Sequence, residues 1–286
     1  MELALGTVQF GLAYGVAGRA EPLCDSEARN VLETAARHGV RWLDTATAYG
    51  DIEQRLAALC GDLPFNIVSK LPALPAGIDG DRACGYFVDA LRRSSERLGD
   101  RLRVMLFHRA EDLAGSQGDV IWGTVQEEAA AVDVELGVSC YGLDTLLELQ
   151  SRWAVRAAQL PGNAFDQSLA SFDPTSAPAQ LQLRSAFLQG LLLMAEVDAV
   201  RRLPAAAPAL RRWHTWCEEH GLERLDAALG LVKGFAAVAQ CVVGVDGPEH
   251  FEQIAAAWSR CEPLHAPELA CVDAAIIDPR RWSLAA

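Results

Sequence analysis

Short apolar runs alternate with stretches of helical periodicity along nearly the whole chain, and this alternation constrains the fold more than any other feature. The eight runs occupy residues 3–8, 40–43, 65–68, 104–107, 136–139, 157–160, 181–185 and 240–244. Between and after them, apolar residues recur at helical spacing over 25–39, 52–60, 85–98, 120–131, 143–150, 206–220, 225–237 and 248–258. Asp25-Ser26-Glu27 reads as a helix start and Gly39 as its stop. Short strands alternating with helices imply a parallel sheet covered by helices, the α/β class. Eight such units in 286 residues suit a closed (β/α)8 barrel of the TIM type better than an open doubly wound sheet. No repeat, low-complexity segment or linker interrupts the pattern, so one domain over residues 1–286 is expected.

Composition narrows the partners. A formal net charge of -13 argues against nucleic acid or an anionic membrane as the main partner. A local basic pocket stays compatible with that charge. The eight cysteines are dispersed without a Cys-x-x-Cys pair, so neither a zinc site nor a disulfide framework is expected. Met1 to Gly6 lacks the basic residues and long apolar run of a signal peptide. No apolar run approaches the roughly 20 residues needed to span a bilayer, and a cytoplasmic location is the expectation.

In a parallel barrel the C-terminal strand ends converge on one mouth. Read in order, those ends carry Asp44, Lys70, His108, Ser139, Gln159, Arg184 and Gly244, with Tyr49 in the loop after the second strand. A phenol, an ammonium, a carboxylate and an imidazole at one mouth form a proton-delivery site for a carbonyl. Singly, each has a plain structural use: Asp44 as a turn cap, Lys70 as an exposed loop residue, His108 as a satisfied core histidine. Their consecutive barrel positions favour chemistry.

At these residues the chain resembles the aldo-keto reductase superfamily, and in flavour its short bacterial members. The matching stretches are Asp44-Thr45-Ala46-Thr47-Ala48-Tyr49-Gly50, Val68-Ser69-Lys70, Leu106-Phe107-His108 and Gly137-Val138-Ser139. Further on, Arg184-Ser185-Ala186-Phe187-Leu188-Gln189-Gly190 and Val243-Gly244-Val245-Asp246 resemble its late cofactor loops. The resemblance implies an NAD(P)H-dependent oxidoreductase that reduces an aldehyde or ketone to the alcohol, or the reverse. Tyr49 would be general acid/base, Lys70 would lower the phenol's pKa, Asp44 would hold Lys70 charged, and His108 would orient the carbonyl. Hydride would come from a nicotinamide, because no side chain donates one.

The same resemblance implies cofactor contacts from Ser139, Cys140, Gln159, Arg184, Ser185, Phe187, Gln189, Gly190, Gly244, Val245, Asp246 and His250. Cys140 stands where many relatives have asparagine, and Arg184 where many have a ring-stacking tyrosine. No Gly-x-Gly-x-x-Gly follows a strand, so a Rossmann-type site is not expected. The turn from Gly244 to Gly247, leading into a helix at Pro248, suits a phosphate through its free amides. Residues 245–250 carry no Lys or Arg; NADP is the family's expectation, with NAD open.

Several features depart from the family. Asp51-Ile52-Glu53 lacks the usual serine. The segment from Gln167 to Arg184 is short and contains Pro174 and Pro178, so a truncated or irregular sixth helix is expected. The stretch after Glu262 is short, which predicts an open, permissive pocket. Trp213, Trp216 and Cys217 read as core, and the segment Ile276 to Trp282 resembles the closing segment of bacterial relatives, which implies that Trp282 packs against the barrel. Alternative readings are a cofactor-binding regulatory or assembly subunit with little turnover, and an aldolase or isomerase using Lys70 as a Schiff base. A monomer or small homo-oligomer is expected.

Overall fold

A computed structural model describes residues 1–16, 18 and 20–282. Its centre is a closed barrel of parallel strands in chain order: β1 (Glu2–Gly6), β2 (Trp42–Asp44), β3 (Asn66–Leu71), β4 (Leu102–Phe107), β5 (Glu135–Ser139), β6 (Ala157–Pro161), β7 (Gln180–Arg184) and β8 (Gln240–Gly244). Closure is made by β1 against β8, in register from Glu2↔Gln240 to Gly6↔Gly244. The chain is thus a (β/α)8 barrel, as the alternation of runs implies.

Helices cover the outside: α1 (Val8–Gly11), α2 (Asp25–Arg37), α3 (Ile52–Cys60), α4 (Gly80–Leu98), α5 (Gly118–Ala131) and α6 (Leu143–Arg152). After β7 come α7 (Glu196–Arg202), α8 (Ala207–Glu219) and α9 (Arg224–Lys233), and after β8, α10 (Pro248–Arg260) and α11 (Ala274–Ile277). α2 begins where the sequence places it, because the Cys24 amide donates to Glu27 Oε2 at 3.0 Å and completes a capping box. α4 starts five residues before the expected position 85, since Ala83 and Cys84 continue the buried stripe of Phe87 and Leu91. α9 stops short of residue 237 with Gly234 as its C-cap, whose amide donates to the Gly230 and Leu231 carbonyls.

Two apolar layers result. The main one lies between strands and helices; Trp213, Trp216 and Cys217 belong to it, and Trp282 packs on it. The inner one, Val68, Val104, Leu106 and Ala157 with Trp42 packed against them, fills the barrel. A filled interior leaves the mouth as the place for a ligand.

The sixth connection holds no helix: residues 162–179 form turns alone. Side chains satisfy the backbone there instead. Asn163 Oδ1 accepts from the amides of Phe165 and Asp166 at 2.9 and 3.0 Å, and Asp173 Oδ1 from that of Thr175 at 2.9 Å. The segment after α10 covers this gap. The Cys271 amide donates to the Phe165 carbonyl at 2.9 Å, and Gln167 Nε2 donates to the Ala266 carbonyl at 2.9 Å.

Candidate active site

Asp44 ends β2, and Lys70 is the penultimate residue of β3, which runs three residues past the end of the apolar run at 65–68. The register Asp44↔Val68 sets the two side chains side by side inside the barrel. Lys70 Nζ donates to both Asp44 carboxylate oxygens at 2.7 Å and to the Thr45 carbonyl at 2.9 Å. Those acceptors match the ammonium's protons one for one. Burial pulls the Lys70 ammonium below its ordinary pKa, and Asp44 opposes that pull. Both residues are enclosed, Lys70 1% and Asp44 5% exposed, so an unpaired partner would be costly there.

Tyr49 stands above this pair in the loop after β2, half-buried. Its amide donates to the Ala46 carbonyl at 3.0 Å. Gly11 backs its carbonyl so closely that a Cβ on residue 11 would come within 1.9 Å of it. His108 follows β4 and meets the Tyr49 ring edge-on, with centroids 6.2 Å apart and planes at 84°. Asp44, Tyr49, Lys70 and His108 are therefore gathered at one mouth.

The electrostatics differ from the expectation in one respect. The Tyr49 phenol is raised above its ordinary pKa, first by burial and then by the Asp44 charge, while Arg184 opposes both. Any pull from Lys70 is outweighed by burial and Asp44. The Lys70 Nζ lies 5.5 Å from the ring centre, and its protons already face Asp44 and Thr45. Desolvation is the largest influence on the phenol and sets the direction. His108 is held down to about 4, mainly by burial and next by Lys70, and is a neutral imidazole at pH 7.

Beside these residues lies a cavity of about 360 Å³. Asp44, Tyr49, Gln159, Arg184, Ser185 and Phe187 are among the residues that line it. Gln189, Gly190, Gly244, Asp246 and His250 line it as well. Ser139, Cys140 and Val245 do not line it: they are 4%, 1% and 0% exposed, packed into the wall behind. Burial pushes the Cys140 thiol up to about 12, and the residue contributes its carbonyl, which accepts from Arg184 Nη2 at 3.3 Å. Among the described residues, no group of three or more His, Cys, Asp or Glu is placed to hold a metal ion.

Ser185, Leu188 and Gln189 all have positive φ, 64°, 49° and 55°, followed by Gly190 at 91°. Left-handed conformation in three non-glycine residues costs on the order of 1 kcal/mol each and marks a loop fixed by its surroundings. The Gln189 carbonyl accepts from the Val16 amide at 3.1 Å, joining this loop to the one after β1 across the cavity.

Several lining or rim residues carried no sequence signal strong enough to single them out. Tyr14, in the glycine-rich loop after β1, and Gln9 both line the cavity. Tyr141 forms part of the rim: the Arg184 guanidinium lies 4.2 Å and that of Arg280 3.3 Å from its ring centre. The short segment after Glu262 thus still reaches the mouth, through Arg280, which Asp278 holds in a two-pronged contact at 2.9 and 2.8 Å.

The sequence profile of the Aldo/keto reductase family matches residues 2–160. No curated protein sequence matches the chain. Among solved structures, a Pseudomonas aeruginosa protein assigned to the aldo-keto reductases is 23% identical, with a TM-score of 0.64 over 90% of each chain. The holo form of aldo-keto reductase AKR11C1 from Bacillus halodurans is 17% identical, with a TM-score of 0.69 over 98% of this chain and 95% of that one. The glycerol dehydrogenase AKR11B4 from Gluconobacter oxydans is also 17% identical, with a TM-score of 0.68 over 93% and 88%. At these identities the structural likeness establishes the fold alone. The profile spans more than half of the chain, and on that ground the chain belongs to the aldo/keto reductase family, a family of oxidoreductases.

Proposed function

We propose that this oxidoreductase reduces an aldehyde or ketone to the alcohol, or catalyses the reverse, with a nicotinamide dinucleotide and with Tyr49 as general acid/base. The observation that carries the reading is the enclosed Lys70–Asp44 pair beneath a half-buried Tyr49 flanked by a neutral His108. A single catalytic domain over 1–286 is part of the same reading.

The cavity's residues fit such a cofactor. Gln159 Oε1 is buried without a partner, an acceptor suited to a carboxamide NH2. Gly244 leaves its backbone bare towards the Gln9 amide, 2.6 Å from where a Cβ would stand, so a larger residue would close the groove. Gln159, Arg184, Ser185, Phe187, Gln189, Gly190, Gly244, Asp246 and His250 would hold the dinucleotide, whose nicotinamide supplies hydride when bound. NADPH is the form carried over from the family, and NADH is the comparison.

Tyr49 donates its phenolic proton to the carbonyl oxygen. Its raised pKa keeps that proton in place throughout the neutral range, so the group acts as an acid rather than as a standing phenolate. His108, neutral, donates a ring N–H to the same oxygen and fixes its direction. Lys70 and Asp44 form a dry, charge-balanced floor that takes no proton from Tyr49. The substrate is a small carbonyl or alcohol compound. Lys70 is poorly suited to a Schiff base, because every proton on Nζ has an oxygen within 2.9 Å and no lone pair faces the cavity.

Titration with NADPH and with NADH by fluorescence, followed by a carbonyl panel with the tighter one, tests the reading. We expect saturable binding and turnover of at least one aldehyde or ketone. Binding of neither dinucleotide sinks it.

A further inference from the structure

Three glutamines stand side by side within the barrel wall. Gln159 in β6 is the register partner of Gln182 in β7, and Gln182 that of Gln240 in β8. All three are enclosed, at 0%, 2% and 5% exposure. Their side chains form one chain of bonds. Gln159 Nε2 donates to Asp44 Oδ1 at 2.6 Å and to Gln182 Oε1 at 2.9 Å, and Gln182 Nε2 donates to Gln240 Oε1 at 2.5 Å.

Nothing in the packing of the barrel calls for this. Leu181 and Leu183, on either side of Gln182, are fully buried, and the nearby interior is filled by Val68, Val104 and Leu106. Burying three amides is unfavourable unless each is hydrogen-bonded, so apolar residues would serve packing as well. The bonds do something that packing does not. The last torsion of a glutamine is soft and broad, and a single bond from Nε2 to Asp44 leaves the amide plane free to swing. A second bond from the same nitrogen, to Gln182, fixes the plane. With both protons committed, the remaining polar atom, Oε1, is held without a partner on a cavity-lining residue.

We infer that Gln182, seated by Gln240, is a positioning residue that fixes the amide plane of Gln159 and so holds its Oε1 ready to accept a hydrogen bond from a bound dinucleotide. The inference rests on the nicotinamide reading of the cavity. Gln182 itself touches no ligand; it acts through Gln159, and through Gln159 on the same Asp44 oxygen that Lys70 holds.

The test is a double-mutant cycle read by dinucleotide fluorescence on the full chain, using whichever of NADPH and NADH the wild-type protein binds more tightly. Gln182→Met is expected to weaken binding about tenfold, the size of one lost oriented hydrogen bond. The carbonyl KM at saturating dinucleotide should change less than about twofold, because the substrate meets Tyr49 and His108 instead. In a Gln159→Met background, Gln182→Met should weaken binding no further, since it acts only through Gln159. Gln240→Met, which leaves the Gln159–Gln182 bond in place, should cost about threefold and lose its effect in the same background; it carries the test if Gln182→Met does not fold. Unchanged affinity in a folded Gln182→Met, or losses that add to that of Gln159→Met, would overturn the inference and leave the nicotinamide reading standing. Failure of the wild-type protein to bind either dinucleotide would overturn both.

Discussion

Tyr49 holds its proton more tightly than a free phenol because burial disfavours the phenolate and Asp44 adds a negative charge nearby; Arg184 counters them only in part. A raised pKa means that the protonated acid persists to higher pH. The rate of carbonyl reduction should therefore show no alkaline limb assignable to this phenol between pH 6 and about 9, the margin below a free tyrosine's ordinary value. A pH profile of kcat/KM checks this, and a falling limb centred below pH 8 that vanished on removing the phenol would show the shift to be in the other direction. Tyr49→Phe should keep dinucleotide affinity and lose about 10²- to 10⁴-fold in turnover, the usual worth of a positioned acid. His108 remains neutral down to about pH 4, so it offers a hydrogen bond but no charge to the oxygen it faces.

At the scale of elements, the loop after β2 and the start of the chain fit one another like parts cut together. Gly11 closes α1 against the Tyr49 carbonyl, and Gly50, at φ 70°, turns the loop away directly afterwards. Gly11→Ala would force a Cβ to within 1.9 Å of that carbonyl, and backbone has nowhere to yield. We expect turnover to fall at least about tenfold through misplacement of the phenol, while dinucleotide affinity falls less; steady-state kinetics beside fluorescence titration separates the two. Strand positions were legible in the sequence because each short apolar run is bounded by polar residues, and with them the convergence of Asp44, Lys70 and His108. The sign of the Tyr49 shift was not, since it depends first on how deeply the fold buries the phenol and then on how near Asp44 comes to it. Cys140 was read as a cofactor contact because it stands where many relatives have asparagine; its thiol is buried, and its carbonyl accepts from Arg184, a contact that residue order alone does not show. Gln182 could have been noticed, as a polar residue between two leucines in a strand buried on both faces, but its partners lie 23 and 58 residues away. The absent sixth helix follows from Pro174 and Pro178 in a segment too short to pack one.

For the whole molecule, burial depresses the pKa of His108, His214 and His250 below the ordinary histidine value. In that case the unfolded chain binds protons first as pH falls through about 6.5, while the folded chain resists down to about 4 at His108. The stability these groups contribute is complete above the unfolded pKa and is lost on acidification. Burial raises Asp112 and Asp166, which act in the opposite sense at lower pH as their carboxyls become protonated. Thermal melting should therefore show Tm declining from pH 7 to 5, and His214→Gln should flatten the decline; a Tm that rose over that range would contradict the sign. The gap in the helical cover between β6 and β7 has a dynamic consequence. Among the described residues, the segment that closes it is joined to those turns by the Cys271–Phe165 backbone bond and the Gln167 side chain, and its Arg280 ends against Tyr141 at the mouth. Such a flap should open as a unit well before the barrel does, so amide deuteration would label Cys271 and the turns of 162–179 together, on a faster clock than β6 and β7 beneath them.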